Sequence, residues 1–440
     1  MGAPGGYSAR RRSRSAGPPE LHDATPSALS HHHRISRWRI SLRHGPSLPQ
    51  TGTTMYGGAW SRRAAPGGPI DRPDRAERDF LGPLAILSYM ASAFRKRFAL
   101  VLGGGGLKGF AHIGVLRALR ERGLVPSVYA GTSIGALISA AHAGGMTVEQ
   151  MAQRAHALRR RDLFRLNHIG MLLDRLRSPS IYAEEPLRML CESVAPAKNF
   201  DELPVPVLVN TVDVERGSQV VWGCPGLRNV PVADAVYASC ALPGFFPPGR
   251  VDGRLCIDGG TIDNLPVNIA ALGMDALIAV DVGNADLTHA TDVHTEGFSA
   301  VFMRAASLMM RALQLPPLEQ WQGPPMILIR PRVGHIGWFS FSHTDELIAE
   351  GYRAACEALE GYEAFFDAPG GVYPRRRMRV LVDRARCTGC GACVALAPRL
   401  MALDASRKAF TLTNIVEWSP ADGDFIRHCP TGALTVQKVA

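Results

Sequence analysis

The clearest pattern of hydrophobic and polar positions follows a long polar first segment. The unbroken apolar run Phe98–Leu102 indicates a strand buried on both faces, and it leads directly into four glycines, Gly103–Gly106. Apolar residues then recur at helical spacing over Leu107–Leu119, and Gly123 supplies a stop signal. This pattern predicts a strand, a glycine turn and a helix.

A second unit repeats the first. Val128–Ala130 predicts a short strand, a tight turn carries Ser133, and a helix of small and apolar residues ends at Gly144. Further along, "VPVLVNTVDVERG" and "QVVWG" predict a hairpin, and Asp275–Gly283 and Met326–Pro331 predict two more buried strands. Strands that alternate with helices predict an α/β fold, a three-layer and mainly parallel sheet with helices on both faces.

Further helices are predicted by the same periodicity. Val148–Leu173 is helical and rich in arginine, Tyr182–Val194 is a second candidate, and the amphipathic segment Ser342–Tyr362 closes this part of the chain. The stretch "GRLCI" predicts one short strand directly before Asp258. The glycine-rich segment after residue 366 predicts a linker.

The turn at Ser133 fits a nucleophile elbow. Gly131-Thr132-Ser133-Ile134-Gly135 matches G-x-S-x-G between a predicted strand and a predicted helix. The elbow needs small neighbours because its serine sits on a sharp, strained turn. The amides at the start of the following helix favour developing negative charge.

The glycines upstream allow two interpretations. Gly104-x-Gly106-x-x-Gly109 satisfies the dinucleotide-binding fingerprint, but the acidic residue expected at the end of the next strand is absent, since that strand ends in Tyr129-Ala130-Gly131. The other interpretation makes the Gly104–Gly106 backbone N–H groups an oxyanion hole, where glycine lets an ester oxygen approach the main chain. We favour the second.

Four blocks in one order resemble a known family. "GGGGLKGFAHIG", "GTSIGA", "ASCALPGFFPP" and "DGGTIDNLP" are similar to the blocks of patatin-like phospholipases, and the resemblance covers Phe98–Tyr362. It implies a patatin-like sheet and a Ser–Asp dyad without histidine, in which Ser133 is the nucleophile and Asp258 its general base. It also implies an oxyanion region made by the glycine run with Lys108.

The residues themselves leave some of these roles open. A carboxylate within hydrogen-bond distance can activate a serine, yet an aspartate before two glycines usually caps a turn, here at Gly260. Asp263 is expected to cap or support rather than to catalyse. Lys108 is either a solvated lysine or a cation near the anionic intermediate.

One predicted helix carries an apolar stripe. Its members share one face of Phe298–Leu313: Phe298, Val301, Phe302, Ala305, Leu308, Met309 and Leu313. Such a stripe usually packs in a core, so we expect burial. The alternative is a methionine-rich helix that guides acyl chains beside the cleft.

The positive charge is concentrated at the start of the chain. Of 440 residues with formal net charge +10, residues 1–97 hold sixteen of the 49 Lys and Arg and six of the 39 acidic residues, so the remainder is neutral. This leader has no periodicity and should be disordered. We favour a tail without a function of its own, or translated sequence upstream of a start at Met55 or Met90. The alternatives are an arm for anionic lipid or nucleic acid and a transit peptide. The triplet His31-His32-His33 lacks companion ligands.

Four of the nine cysteines have a spacing with chemical meaning. Cys387, Cys390 and Cys393 form C-x2-C-x2-C, and Cys429 precedes a proline near the end. The segment resembles a bacterial-type ferredoxin module and implies one 4Fe–4S cluster held by these four thiolates. Ala397 stands where a cysteine for a second cluster would be. Zinc is the alternative metal, although zinc sites favour paired C-x2-C units or histidines.

These observations predict five parts. They are a disordered basic leader (1–79), an apolar and basic lead-in helix (80–97), an acyl hydrolase domain (98–366), a linker (367–377) and a small α+β ferredoxin-like domain (378–440). No segment qualifies as a transmembrane span or a secretory signal. The expected location is the cytoplasm, with the inner membrane surface as a candidate contact.

The expected function is hydrolysis of phospholipid or lysophospholipid esters, which needs no metal, with an iron–sulfur domain for electron transfer or redox control. Expected partners are the lipid, a membrane surface and a redox protein, without a specific nucleic acid. Two alternatives stay open: an electron-transfer protein on a hydrolase-fold scaffold, and acyl transfer to an acceptor other than water.

Overall fold

The computed structural model describes residues 96–166, 180–283, 295 and 297–439. The predicted leader, and the lead-in helix up to residue 95, lie outside the described residues. The same holds for the end of the helix predicted over Val148–Leu173.

A nine-stranded sheet forms the framework. Its strands in chain order are β1 (Phe98–Leu102), β2 (Val128–Thr132), β3 (Val207–Asp213), β4 (Ser218–Trp222), β5 (Gly249–Val251), β6 (Arg254–Asp258), β7 (Ala276–Val280), β8 (Pro325–Ile329) and β9 (Gly371–Tyr373). They lie in the order β5-β6-β3-β2-β1-β7-β8-β9, with β4 paired to β3. The contacts from β3 through β2, β1, β7 and β8 to β9 are parallel, and those of β4, β5 and β6 are antiparallel. The predicted, mainly parallel α/β sheet is confirmed.

Helices cover this sheet. In chain order they are α1 (Ala111–Glu121), α2 (Ile134–Ala143), α3 (Val148–Ala157), α4 (Glu184–Val194), α5 (Val232–Cys240), α6 (Val267–Ala270), α7 (Phe298–Glu319), α8 (Thr344–Ala358) and α9 (Tyr362–Asp367). Alternate strand residues enter two separate cores, since Leu100 packs with residues of α1 and α2 while Val101 packs with residues of α6 and α7. The strands are therefore apolar on both faces, as their unbroken hydrophobic runs predict.

Several predicted elements have different bounds. The short strand predicted at "GRLCI" is β6, which extends to Asp258 and forms a hairpin with β5 around Asp252-Gly253. The helix predicted from Val148 ends at Ala157, where Leu158 turns to an extended conformation and the Arg159 amide is capped by Asp162. A capping box at Thr147 fixes the other end of this helix.

The expected burial of the apolar stripe on α7 is wrong. Phe298, Val301, Leu308, Met309 and Leu313 are all among the exposed large hydrophobic residues. A different face of α7 is buried, and it includes Ser307, Met310, Gln314 and Leu318. The contacts of this face with the loop after β6 determine how the helix is rotated about its axis. Hydrophobicity alone does not determine that rotation.

A second, smaller sheet follows. β10 (Arg376–Val382) pairs with β13 (Val416–Trp418) and β14 (Leu434–Lys438), and β11 (Met401–Leu403) pairs with β12 (Ala409–Thr411). Two short helices, α10 (Ala392–Leu396) and α11 (Asp424–Arg427), complete this small α+β domain, whose core includes Val380 and Phe425.

The two domains are in direct contact. The strand β9 lies within the predicted linker and joins the edge of the large sheet. Ala421 of the small domain packs into the core beside Met326, and Arg376 pairs with Glu357 at 2.6 Å. The Arg330 guanidinium also donates to the Pro420 carbonyl.

None of the helices in the described ranges is long and apolar enough to cross a bilayer.

Candidate active site and cluster site

Ser133 occupies the turn between β2 and α2. Its φ of 55° and ψ of −126° are a strained combination for a residue with a side chain. Its amide donates to the Ser239 hydroxyl at 2.9 Å, and that hydroxyl donates to the Asn210 carbonyl at 2.7 Å. These bonds hold the turn, and the predicted elbow geometry is present.

The two elbow glycines are required by close backbone approach. A Cβ on Gly131 would lie 2.5 Å from the Ala136 nitrogen, and one on Gly135 would lie 2.0 Å from the Leu102 carbonyl oxygen. Both distances are far inside van der Waals contact. A side chain at either position would push α2 away from the sheet and displace Ser133.

Asp258 ends β6 and lies against Ser133. It is buried, one carboxylate oxygen accepts from the Gly260 amide at 2.8 Å, and Asp258 lines the same cleft as Ser133. Burial raises the pKa of Asp258 to about 6, and the Gly260 amide and the nearby Ser133 hydroxyl oppose that rise. Asp258 therefore caps the turn and also lies beside the serine.

A thiol borders the same hydroxyl. Cys240, at the end of α5, contacts Ser133 and lines the cleft described below. Hydrogen bonding with Cys191 and burial hold the pKa of Cys240 well above its usual range. The thiol therefore stays protonated, so Ser133 beside Asp258 is the stronger candidate nucleophile.

The glycine run approaches Ser133 from β1. A Cβ on Gly104 would lie 3.2 Å from that of Ser133 and 2.5 Å from Asn264 Oδ1. The Gly104 amide already donates to the Asn264 carbonyl at 3.3 Å, and Gly106 lines the cleft with a φ of 59°. Gly106 and its neighbour Gly105 are thus the members of the run best placed to offer amides to a ligand.

Two buried side chains that the sequence interpretation missed hold this run. His112 Nε2 donates to the Gly103 carbonyl at 2.9 Å, since a carbonyl oxygen can only accept. Burial lowers the pKa of His112 to about 4, so the ring is neutral. Asn264 Nδ2 donates to the Gly104 carbonyl at 3.1 Å. Both residues, like Ser239, lie inside the four sequence blocks. Their place in these blocks was the signal by which the sequence could have pointed to them.

The remaining two candidates lie around the site. Lys108 is buried, which removes the interpretation as a solvated lysine, and it does not line the cleft. Asp263 accepts from the Leu265 amide at 3.1 Å and from Gln219 Nε2 at 3.3 Å. Its carboxylate supports the turn, as expected.

An apolar cleft leads away from Ser133 and Asp258. Its empty space, including the part that is open to solvent, is about 950 Å³. The walls are formed by α1 to α4 and by connecting segments, with Phe110, Ile113, Leu137, Met151, Leu187, Leu190 and Phe246 among the lining side chains. Two polar catalytic candidates at the end of a hydrophobic cavity are typical of a site for an ester with a long apolar chain.

The four cysteines of the small domain line one pocket. Cys387, Cys390, Cys393 and Cys429 face this space together with Thr431. Gly389 and Gly391, between the first three cysteines, have φ values of 73° and 79°, which glycine adopts without strain. The loop conformation that brings the three thiols to one pocket therefore depends on both glycines.

Backbone amides contact two of these cysteine sulfurs. Backbone amides of Ala409 and Ala433 donate to the sulfur atoms of Cys387 and Cys429 at 3.4 and 3.2 Å, and such bonds tune cluster sulfurs. Across the ranges that the structure describes, no three His, Cys, Asp or Glu side chains converge closely enough to hold one metal ion. The possible donors at this pocket are thus four cysteine sulfurs, two of which accept backbone amides.

Comparison with known sequences agrees with both sites. Residues 100–271 match the sequence profile of the patatin-like phospholipases, and residues 380–436 match that of the 4Fe-4S single cluster domain. The resemblances inferred from the sequence blocks and from the cysteine spacing are confirmed at the level of these two domains.

Individual relatives cover parts of the chain. An uncharacterised NTE family protein of Mycobacterium tuberculosis is 38% identical over 199 residues, which are 44% of this chain and 52% of the relative. Lysophospholipase NTE1 of Mycosarcoma maydis is 28% identical over 296 residues, 62% of this chain and 15% of the relative. The chain thus matches about half of the first protein and much less of the second. Among solved structures, VipD from Legionella pneumophila gives a TM-score of 0.33 at 17% identity, covering 60% of this chain and 67% of VipD.

Proposed function

We propose that this chain hydrolyses carboxylic esters of phospholipids or lysophospholipids, with Ser133 as nucleophile and Asp258 as its general base. The observation that carries the proposal is that the strained Ser133 and the buried Asp258 lie beside each other in one apolar cleft. The match of residues 100–271 to patatin-like phospholipases supports the same reaction.

The first step is acyl transfer to the serine. Asp258 accepts the Ser133 proton as the hydroxyl oxygen attacks the ester carbonyl carbon. The amides of Gly105 and Gly106 then stabilise the oxyanion, and His112 and Asn264 hold the run in place through the carbonyls of Gly103 and Gly104. Protonated Asp258 returns the proton to the leaving alcohol oxygen, and the acyl chain stays on Ser133.

The second step releases the fatty acid. Asp258, ionised again, removes a proton from water as the water oxygen attacks the acyl carbon. The second tetrahedral intermediate collapses, the bond to Ser133 Oγ breaks, and the hydroxyl regains its proton from Asp258. Neither step uses a metal.

The cleft selects the acyl part of the substrate. Leu137, Met151 and Leu187 offer apolar contacts along its length, so an extended hydrocarbon chain loses its contact with water there. The polar head group stays at the open end, near Ser133. We therefore propose lipid esters rather than small soluble esters as the preferred class.

The small domain is proposed to hold one 4Fe–4S cluster on Cys387, Cys390, Cys393 and Cys429. When bound, the cluster supplies one-electron redox chemistry. The chain's own contribution is the four thiolates and the amide hydrogen bonds to Cys387 and Cys429. The other five cysteines, none of which forms a disulfide, fit a reducing compartment such as the cytoplasm.

Anaerobically purified protein is expected to release fatty acid from phospholipid or lysophospholipid vesicles. The rate should rise with pH along an acid limb centred near pH 6, because Asp258 must be ionised to act as base and its pKa is raised to about 6. The initial rate of fatty acid release, measured at a series of pH values between about 4.5 and about 8, gives this limb. A rate without any acid limb in this range would contradict the assignment of Asp258, and no release from any lipid ester would contradict the proposed reaction.

Cys390→Ser is expected to remove the visible iron–sulfur absorbance and most of the bound iron, because one of the four proposed ligands is lost. The matched control is Cys224→Ser, at a half-buried thiol of the large domain, which should keep both. Iron, zinc and acid-labile sulfide are assayed together. Zinc without iron or sulfide in the unaltered protein would contradict the cluster.

A further inference from the structure

One helix of the large domain exposes an uncharged apolar face. The side chains of Phe298, Val301, Leu308, Met309 and Leu313 on α7 are 48–79% exposed. They are spaced by three, four or seven residues or are adjacent, so they form one stripe along the helix. We refer to these five residues as the α7 stripe. An apolar surface of this extent, open to water in one chain, is typical of an interaction site.

The α7 stripe is joined to the wall of the active-site cleft by aromatic contacts. Ring centroids are 6.0 Å apart for Phe298 and Phe302, and 6.1 Å apart for Phe302 and Phe245. Phe245 lies 5.8 Å from Phe339, and Phe339 lies 5.0 Å from Phe164. Phe339 and Phe164 line the cleft. A run of aromatic contacts, with Phe245 buried inside it, thus connects the exposed stripe to the cleft wall.

Positive charge lies beside Phe164 at the cleft wall. Arg159, Arg160, Arg161 and Arg165 are exposed, and Asp162 is the only acidic residue in the segment 158–166. The Arg160 guanidinium lies 5.4 Å from the centre of the Phe164 ring, directly against the cleft wall. We call residues 159–161 the arginine cluster. On α7 itself, Arg304 and Arg311 are the only charged residues before Glu319.

We propose that the α7 stripe and the arginine cluster together dock the protein on an anionic lipid bilayer, with the cleft mouth facing the lipid. The occupant follows from the combination of surfaces, since apolar side chains enter the acyl boundary while arginines bind phosphate head groups. A second copy of this chain would have to place the same cations against each other. The proposal rests on the proposed function, because it assigns the surface that delivers a lipid ester to Ser133.

Docking is measured without catalysis, in Ser133→Ala protein, by cosedimentation with vesicles of phosphatidylcholine alone or mixed with phosphatidylglycerol. The double variant Leu308→Ser/Leu313→Ser changes two side chains that are 50% and 51% exposed and lie outside the buried face of α7, so the protein should still fold. It is expected to bind both vesicles about tenfold or more weakly, because two leucines no longer enter the bilayer. Arg160→Glu/Arg161→Glu should lose the preference for phosphatidylglycerol.

Matched controls and soluble substrate separate docking from the reaction. Val125 and Leu272 are 67% and 70% exposed at the amino ends of β2 and β7, away from the cleft, so Val125→Ser/Leu272→Ser should bind like the parent protein. With Ser133 restored, the stripe variant should keep its rate on a short-chain soluble ester and lose it on vesicles. Unchanged vesicle binding by the stripe variant would overturn the proposal while leaving the hydrolase intact.

Other outcomes are equally decisive. If the unaltered protein elutes as a dimer in size-exclusion chromatography and the stripe variant as a monomer with normal vesicle binding, the face is an interface between copies and the proposal is wrong. If vesicle binding depends on the stripe but no lipid or soluble ester is hydrolysed, docking stands and the proposed function fails.

Discussion

Ser133→Ala is expected to lower the rate of ester hydrolysis by about four orders of magnitude or more, since removing the nucleophile of an acyl hydrolase leaves only binding and oxyanion stabilisation. The thiol beside Ser133 does not replace it. Cys240 is the nearest thiol, and its raised pKa keeps it protonated. Release of fatty acid from lysophospholipid, measured under anaerobic conditions, gives the rate.

The chain offers a matched control for this substitution. Ser139 lies on α2, less than two turns after Ser133, and its buried hydroxyl has no hydrogen-bond partner among the described residues. Ser139→Ala should therefore keep full activity and stability. A Ser133→Ala protein as active as Ser139→Ala would exclude Ser133 as the nucleophile.

Asp258→Asn is expected to have two effects of opposite sign. Activity should fall about a thousandfold or more, because the amide cannot accept the serine proton. Stability should rise at neutral pH. The buried carboxylate has its pKa raised from 3.8 to about 6, and a difference of this size corresponds to about 3 kcal/mol at most. The asparagine can keep the bond from the Gly260 amide through its side-chain oxygen.

The pH dependence fixes the sign of this stability effect. Between pH 3.8 and about 6 the folded state holds a proton on Asp258 that the unfolded state has lost, so the free energy of unfolding falls as pH rises through this window. Above this pH window the free-energy cost of burying the ionised carboxylate is constant. In Asp258→Asn this cost is absent. Denaturant unfolding at pH 4 and about pH 8 compares the two proteins. Asp252→Asn, in the exposed turn before β6, should behave like the parent. An equal pH response in Asp258→Asn and the parent would contradict the raised pKa.

Local patterns were enough for the elements around Ser133. The unbroken apolar runs of β1 and β2 predict central parallel strands, because only a strand covered on both faces has no polar side. The glycines of the elbow predict the turn, because each lies where the structure leaves no room for a Cβ. Both are short-range effects, in which a few neighbouring residues specify the conformation.

The partner of Ser133 could be inferred only through the family resemblance. Asp258 lies 125 positions along the chain from Ser133, and an aspartate before two glycines is by itself an ordinary cap. The sheet brings the two together because β6 pairs antiparallel with β3, next to β2. The roles of His112, Ser239 and Asn264 depend on the same convergence.

The sequence by itself determined the α/β class, the two domains, the strained serine turn and the cysteine pocket, because each depends on periodicity or on spacing within a short segment. Only the tertiary structure decided which face of α7 is buried, which amides of the glycine run are already bonded, and where the apolar cleft lies. The hydrophobic effect favours the removal of an apolar side chain from water, but it does not specify which residues that side chain packs against. On α7 the buried face includes polar groups that contact the loop after β6, and the more apolar stripe is left exposed.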